Sequence, residues 1–157
     1  MRYLLVSIFL GTVMLPWQAI ARAPVDQMCA PLRAFVASVK PRETRSLEFR
    51  TSWGGNFKDS AAPAIYAKRC AYHDYVPAKA ICGYLMKYGR IEFSGNNVER
   101  ALACLSPGTQ FGQFVQLNQA EFTFTYGSDE RGSNVTIQYD EDLKIGGEVL
   151  TITADGY

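Results

Sequence analysis

Apolar side chains follow two different rhythms along this chain. Leu32, Phe35, Val36 and Val39 fall at i, i+3, i+4 and i+7 behind Pro31, which suits a first helical turn, and Pro41 ends the run. "SLEFRTSW" then alternates, with Leu47, Phe49 and Trp53 on one face and Glu48, Arg50 and Ser52 on the other. That pattern predicts a half-buried strand near 46–53, stopped by Gly54-Gly55, with Trp53 on the core side. Helical character is expected again from about Ala61 to Tyr72, where Pro63 can occupy the first turn. After the interruption "HDYVP", the run "PAKAICGYLMKYG" predicts a helix with Pro77 near its start and Gly89 as its C-terminal cap. Asn96 or Asn97 is placed to cap a third, short helix through Cys104, with Leu102 and Leu105 inward.

After residue 108 the period becomes two. "QFVQL" leads through Asn118-Gln119 into "EFTFTYG", where Phe122, Phe124 and Tyr126 share a face. "NVTIQYD" aligns Val135, Ile137 and Tyr139, and "EVLTITA" aligns Leu150 and Ile152. Polar turns at "SDERGS" and from Asp140 to Gly147 separate these runs, which predicts an antiparallel meander of three or four strands. One layer of such strands needs a cover on its apolar face. The expected fold is therefore α+β, with N-terminal helices on one face of a C-terminal antiparallel sheet that also takes in the earlier strand.

The first 21 residues change the picture of where this fold works. Arg2 precedes the 12-residue apolar run "LLVSIFLGTVML", then Pro16 and the small-x-small triplet Ala19-Ile20-Ala21. That order predicts a secretory signal peptide over 1–21 and one exported domain over 22–157, periplasmic in a cell with an outer membrane and otherwise secreted. The run is too short for a spanning helix and no later stretch could cross a bilayer. In an oxidising compartment Cys29, Cys70, Cys82 and Cys104 predict two disulfides. Cys70–Cys82 would close a helical hairpin and leave Cys29–Cys104. The sequential pairing, Cys29–Cys70 with Cys82–Cys104, remains open. Zinc is disfavoured, because there is no C-x-x-C pair and only one histidine.

Charge is nearly balanced overall but unevenly placed. Residues 22–105 hold 13 Lys/Arg against 7 Asp/Glu, whereas 106–157 hold 2 against 8. An acidic C-terminal half suits a basic partner. An exported, near-neutral chain is a poor nucleic-acid binder.

Reactive chemistry finds few candidates. His73-Asp74 are adjacent and so ill placed to hydrogen-bond as base and orienting acid; a polar turn is the expected role. There is no G-x-S-x-G nucleophile elbow, and an even cysteine count leaves no thiol for catalysis. Glu92 in "RIEFSGNN", framed by Ile91 and Phe93, is the best general-acid candidate, without an identifiable second acid. Asp140, Glu141 and Asp142 resemble a calcium loop only loosely, since Lys144 stands where an oxygen ligand is needed. Asn134-Val135-Thr136 is a glycosylation sequon inside an expected strand.

These observations favour an exported, disulfide-stabilised binding protein without an enzymatic role, of the inhibitor or immunity type, acting on another exported protein with a basic surface. No cofactor or metal is expected. The expected contact residues are Trp53 and Phe57, bracketing Gly54-Gly55 as aromatic anchors, and the acidic turns Asp129-Glu130 and Asp140-Glu141-Asp142. The alternatives are an envelope glycan hydrolase using Glu92, and a small glycan- or lipid-binding module.

Overall fold

The computed structural model describes residues 26–112 and 116–157. The expected signal peptide, residues 22–25 and the first three residues of the "QFVQL" run lie outside the described residues. The elements are α1 (Cys29–Ser38), β1 (Thr44–Trp53), β2 (Tyr66–Ala71), α2 (Val76–Tyr88), α3 (Gly95–Leu105), β3 (Ala120–Gly127), β4 (Gly132–Glu141) and β5 (Glu148–Gly156). All pairings are antiparallel, in the order β2-β1-β5-β4-β3. The fold is α+β: three helices and a five-stranded antiparallel sheet. The C-terminal meander is contiguous, and β1 joins it beside β5.

Alternation fixes which face each strand buries. Leu47 and Phe49 of β1, Val135, Ile137 and Tyr139 of β4, and Leu150, Ile152 and Ala154 of β5 are buried. They meet Leu32, Phe35 and Val36 of α1, Ile81 and Leu85 of α2, and Val98, Ala101 and Leu102 of α3 in one core. Fully burying such a side chain contributes about 1.5–3 kcal/mol. The opposite sheet face carries Glu48, Arg50, Thr123, Thr136, Gln138, Thr151 and Thr153.

The expected helix over Ala61–Tyr72 is not formed. Residues 66–71 are instead the edge strand β2, in register with β1 from Glu48↔Ala71 to Trp53↔Tyr66. Pairing to an open edge overrides the weak local helical signal, a common outcome for short segments. The Cys70–Cys82 bridge is formed, but it ties this edge strand to α2 instead of closing a helical hairpin, and Cys29–Cys104 ties α1 to α3. Both disulfides suit an exported, stabilised protein.

Local contacts explain two details at the helix ends. Gly89 is the C-cap of α2, as expected: its N–H donates to the Leu85 carbonyl at 2.7 Å, and its backbone is extended (φ −61°, ψ 141°) instead of left-handed. A Cβ there would lie 2.5 Å from the Leu85 carbonyl oxygen and 2.5 Å from the Phe49 ring, so glycine is required for close approach. Asn97 is not an N-cap: α3 already starts at Gly95, and the buried Asn97 amide binds the backbone N and O of Arg90, both at 2.8 Å. Asp26 anchors the same helical layer. Its carboxylate accepts from Arg100 Nε at 2.5 Å, and Arg100 also donates to the Tyr84 hydroxyl at 2.7 Å.

Candidate functional site

Strand parity carries polar residues onto the core-facing side where the helical cover runs out. Tyr139 and Glu141 continue the buried row of β4, Glu148 precedes Leu150 and Ile152 on β5, and Thr51 and Trp53 continue that of β1. α2 ends level with Phe49, whose ring abuts Gly89. Trp53, two same-face positions further along, therefore lies beyond the helices among the described residues and is 57% exposed. This corrects the expectation that Trp53 belongs to the core, although its facing was as expected.

Two adjoining hollows lie here. One, of about 330 Å³, is lined by Glu92, Phe93, Asn96, Asn118, Tyr139 and Glu148. The other, of about 500 Å³, is lined by Ser52, Trp53, Glu92, Asn118, Glu141 and Glu148. Their shared residues, Glu92, Asn118 and Glu148, make them one groove. Phe93, 62% exposed, stands at its rim, and Tyr66 pairs with Trp53 across the strands.

The electrostatics of this groove are unusual. Glu141 and Glu148 are directly opposite each other on β4 and β5. Like charges in that relation destabilise a sheet. Among the described residues no Lys, Arg or His forms a salt bridge with Glu92, Glu141 or Glu148. Glu148 is held by the Ser94 hydroxyl, which donates to it. Because that hydrogen is used, the Tyr139 hydroxyl donates to Ser94 Oγ at 2.5 Å. Burial pushes the Tyr139 phenol up to about 12, so it stays a donor throughout the neutral range. The chain Tyr139→Ser94→Glu148 therefore supports an anion on the groove floor. Among the described residues, no three His, Cys, Asp or Glu side chains are close enough to hold a metal ion.

The other expected contact residues are scattered. Phe57 is buried, with the Arg69 guanidinium 4.8 Å from its ring centroid, so it offers no aromatic surface. The turn after Gly54-Gly55 folds Phe57 inward while Trp53 stays out. Asp142 is a turn builder: it accepts from the backbone N–H groups of Ile145 and Lys144 and pairs with Arg50 Nη1 at 2.8 Å. These contacts, the Ile145 N–H foremost, lower its pKa. Asp140 points to the opposite sheet face and accepts from Gln119 at 3.1 Å. Asp129 and Glu130 sit in the β3–β4 turn, at the far end of the ten-residue strand β4 from Glu141. At about 3.4 Å per residue that separation is ~30 Å. The acidic turns do not form one face; only Glu141 of the five meets Trp53.

Glu92 joins the groove from the α2–α3 connection, and Glu148 lines both hollows with it. His73 and Asp74 occupy consecutive left-handed positions, φ 47° and 58°, in the turn between β2 and α2. His73 Nε2 is 3.9 Å from Glu48 Oε1 and largely exposed. Asn134 is exposed within β4.

Comparison with protein-family models, curated proteins and solved structures finds no match to this chain.

Proposed function

We propose that this chain is an exported binding protein, matured by removal of residues 1–21, that receives a cationic segment of another exported protein in the Trp53–Glu92–Glu141–Glu148 groove. In a cell with an outer membrane it works in the periplasm, as an inhibitor or immunity-type partner of an envelope protein. One observation carries the reading: three carboxylates without basic partners among the described residues, two of them forced opposite each other, beside an exposed tryptophan. A guanidinium or ammonium group relieves that repulsion, and an aromatic face attracts the same cation. The disulfides and the absence of a free thiol among the described residues support a molecule that acts through its surface.

The test is capture from envelope extract at low salt, with the processed, oxidised protein immobilised beside its Glu92→Gln/Glu141→Gln/Glu148→Gln variant. A partner retained by the parent, released by salt and missed by the variant supports the reading. Equal capture by both, or none, sinks it.

A second reading is favoured by the same groove: Glu92 and Glu148 line both hollows, as two acids of a glycan hydrolase would. Turnover of peptidoglycan by the parent protein, abolished in Glu92→Gln with the fold intact, would establish it; no turnover ends it. A lipid carrier has less support, because Phe35, Phe49, Leu85 and Ile137 fill the space between sheet and helices.

A further inference from the structure

The two outer strands of the sheet differ in how their edges are guarded. β2 is six residues long, carries Lys68 and Arg69 at its centre, and is tied through Cys70 to α2. Short length and basic side chains are what keep an edge strand from pairing with other chains. β3 has neither protection. It is eight residues long, AEFTFTYG, and its single charge is Glu121. Its inner edge pairs with β4 over the whole of Ala120–Gly127. Among the described residues, no backbone group bonds to its other edge.

The side chains of β3 show the same incompleteness. Phe122, Phe124 and Tyr126 point toward the core yet remain half-buried, whereas the opposing Ile137, Val135 and Ser133 of β4 are buried. Phe111 covers Phe122 edge-on at 6.5 Å between centroids. Among the described residues, no strand lies along the flank of the row facing away from β4.

We infer that β3 pairs antiparallel with β3 of a second copy, giving one continuous sheet across a two-fold axis. The sequence of the strand is self-complementary for this pairing. With the axis at Thr123, Phe122 meets Phe124 of the second copy, Ala120 meets Tyr126, and Glu121 meets Thr125. Opposed residues share a sheet face, so the aromatic pairs extend the core under the helices and the threonines stay on the open face. No like charges meet, and each aromatic pair adds a favourable cross-strand contact. The symmetric use of one patch by both copies is the commonest form of homodimer. This inference is independent of the groove.

Sedimentation equilibrium of the processed, oxidised protein tests it. The expected result is a concentration-dependent monomer–dimer equilibrium. Thr123→Lys, which sets two lysines opposite each other, should weaken dimerisation about tenfold or more, with far-UV circular dichroism unchanged and Tm close to the parent's at dilutions where both proteins are monomeric. Thr151→Lys, on the same face of the central strand β5, should leave it unaltered. Concentration-dependent slowing of hydrogen exchange at β3 amides should accompany the dimer. A monomer at every concentration overturns the inference, as does a dimer that Thr123→Lys leaves intact or that Thr151→Lys weakens equally.

Discussion

Glu141→Gln should make the protein more stable, not less. Glu141 lies directly opposite Glu148, accepts no side-chain hydrogen bond and has no basic partner among the described residues. Opposed residues of an antiparallel pair have Cβ atoms about 5 Å apart, and two unit charges roughly 5.5 Å apart in a water-like dielectric repel by about 0.75 kcal/mol. Glu141 is exposed, so this water-like value is the appropriate one. Removing the charge while keeping the shape should therefore raise stability by about 0.5–1 kcal/mol, or ~2–4 °C in Tm for a domain of this size. The gain should fade in 1 M salt, where the screening length is about 3 Å. Urea denaturation at low and high salt measures both quantities. A destabilised variant, or a gain of the same size at both salt concentrations, would refute the claim that the groove holds uncompensated charge.

Other outcomes follow from the core and its ties. Removing Cys29–Cys104 by double alanine substitution releases a loop of sequence separation 75, and removing Cys70–Cys82 one of 12; chain entropy predicts losses of about 4.5 and about 2.8 kcal/mol, and equilibrium unfolding should rank them in that order. Gly89→Ala should cost about 1–3 kcal/mol, because its methyl group meets the fixed Leu85 carbonyl as well as the Phe49 ring; an unchanged midpoint would contradict this. The Arg100 hydrogen bond, ahead of smaller contributions, holds Asp26 down at about 2. Since the folded value lies below the unfolded one, this contribution is present above pH ~4 and lost as pH falls toward 2. It amounts to at most about 2 kcal/mol, and Asp26→Asn should flatten the acid limb of the stability–pH curve.

Much of the fold was legible because patterning and burial agree over long segments. The rows Leu47-Phe49, Val135-Ile137-Tyr139 and Leu150-Ile152 are buried as their alternation predicts. Residues 66–71 were not legible as a strand: "YAKRCA" has no clean alternation, and its state is set by pairing with β1. The groove was half legible. Glu92 and Trp53 stood out by composition, and Glu141 as part of an acidic turn. Parity alone would have added Glu148, which shares its phase with Leu150 and Ile152, and would have separated Glu141 from Asp140 and Asp142. The distance between the two acidic turns was legible too, since they flank the expected strand "NVTIQYD" that became β4. No such signal existed for Phe57, which is buried with the Arg69 guanidinium of β2 over its ring, a contact set by tertiary packing.

Trp53 is the single tryptophan of residues 22–157, so the fluorescence of a chain lacking the proposed signal peptide reports on the groove directly. Titration with an arginine-rich peptide should give a saturable change that weakens with added salt. The change should be lost in Glu92→Gln/Glu141→Gln/Glu148→Gln and kept in Asp129→Asn/Glu130→Gln at the opposite end of the sheet. An unchanged response in the groove variant, or a loss confined to the hairpin variant, would contradict the assignment of this groove as the cation-binding surface.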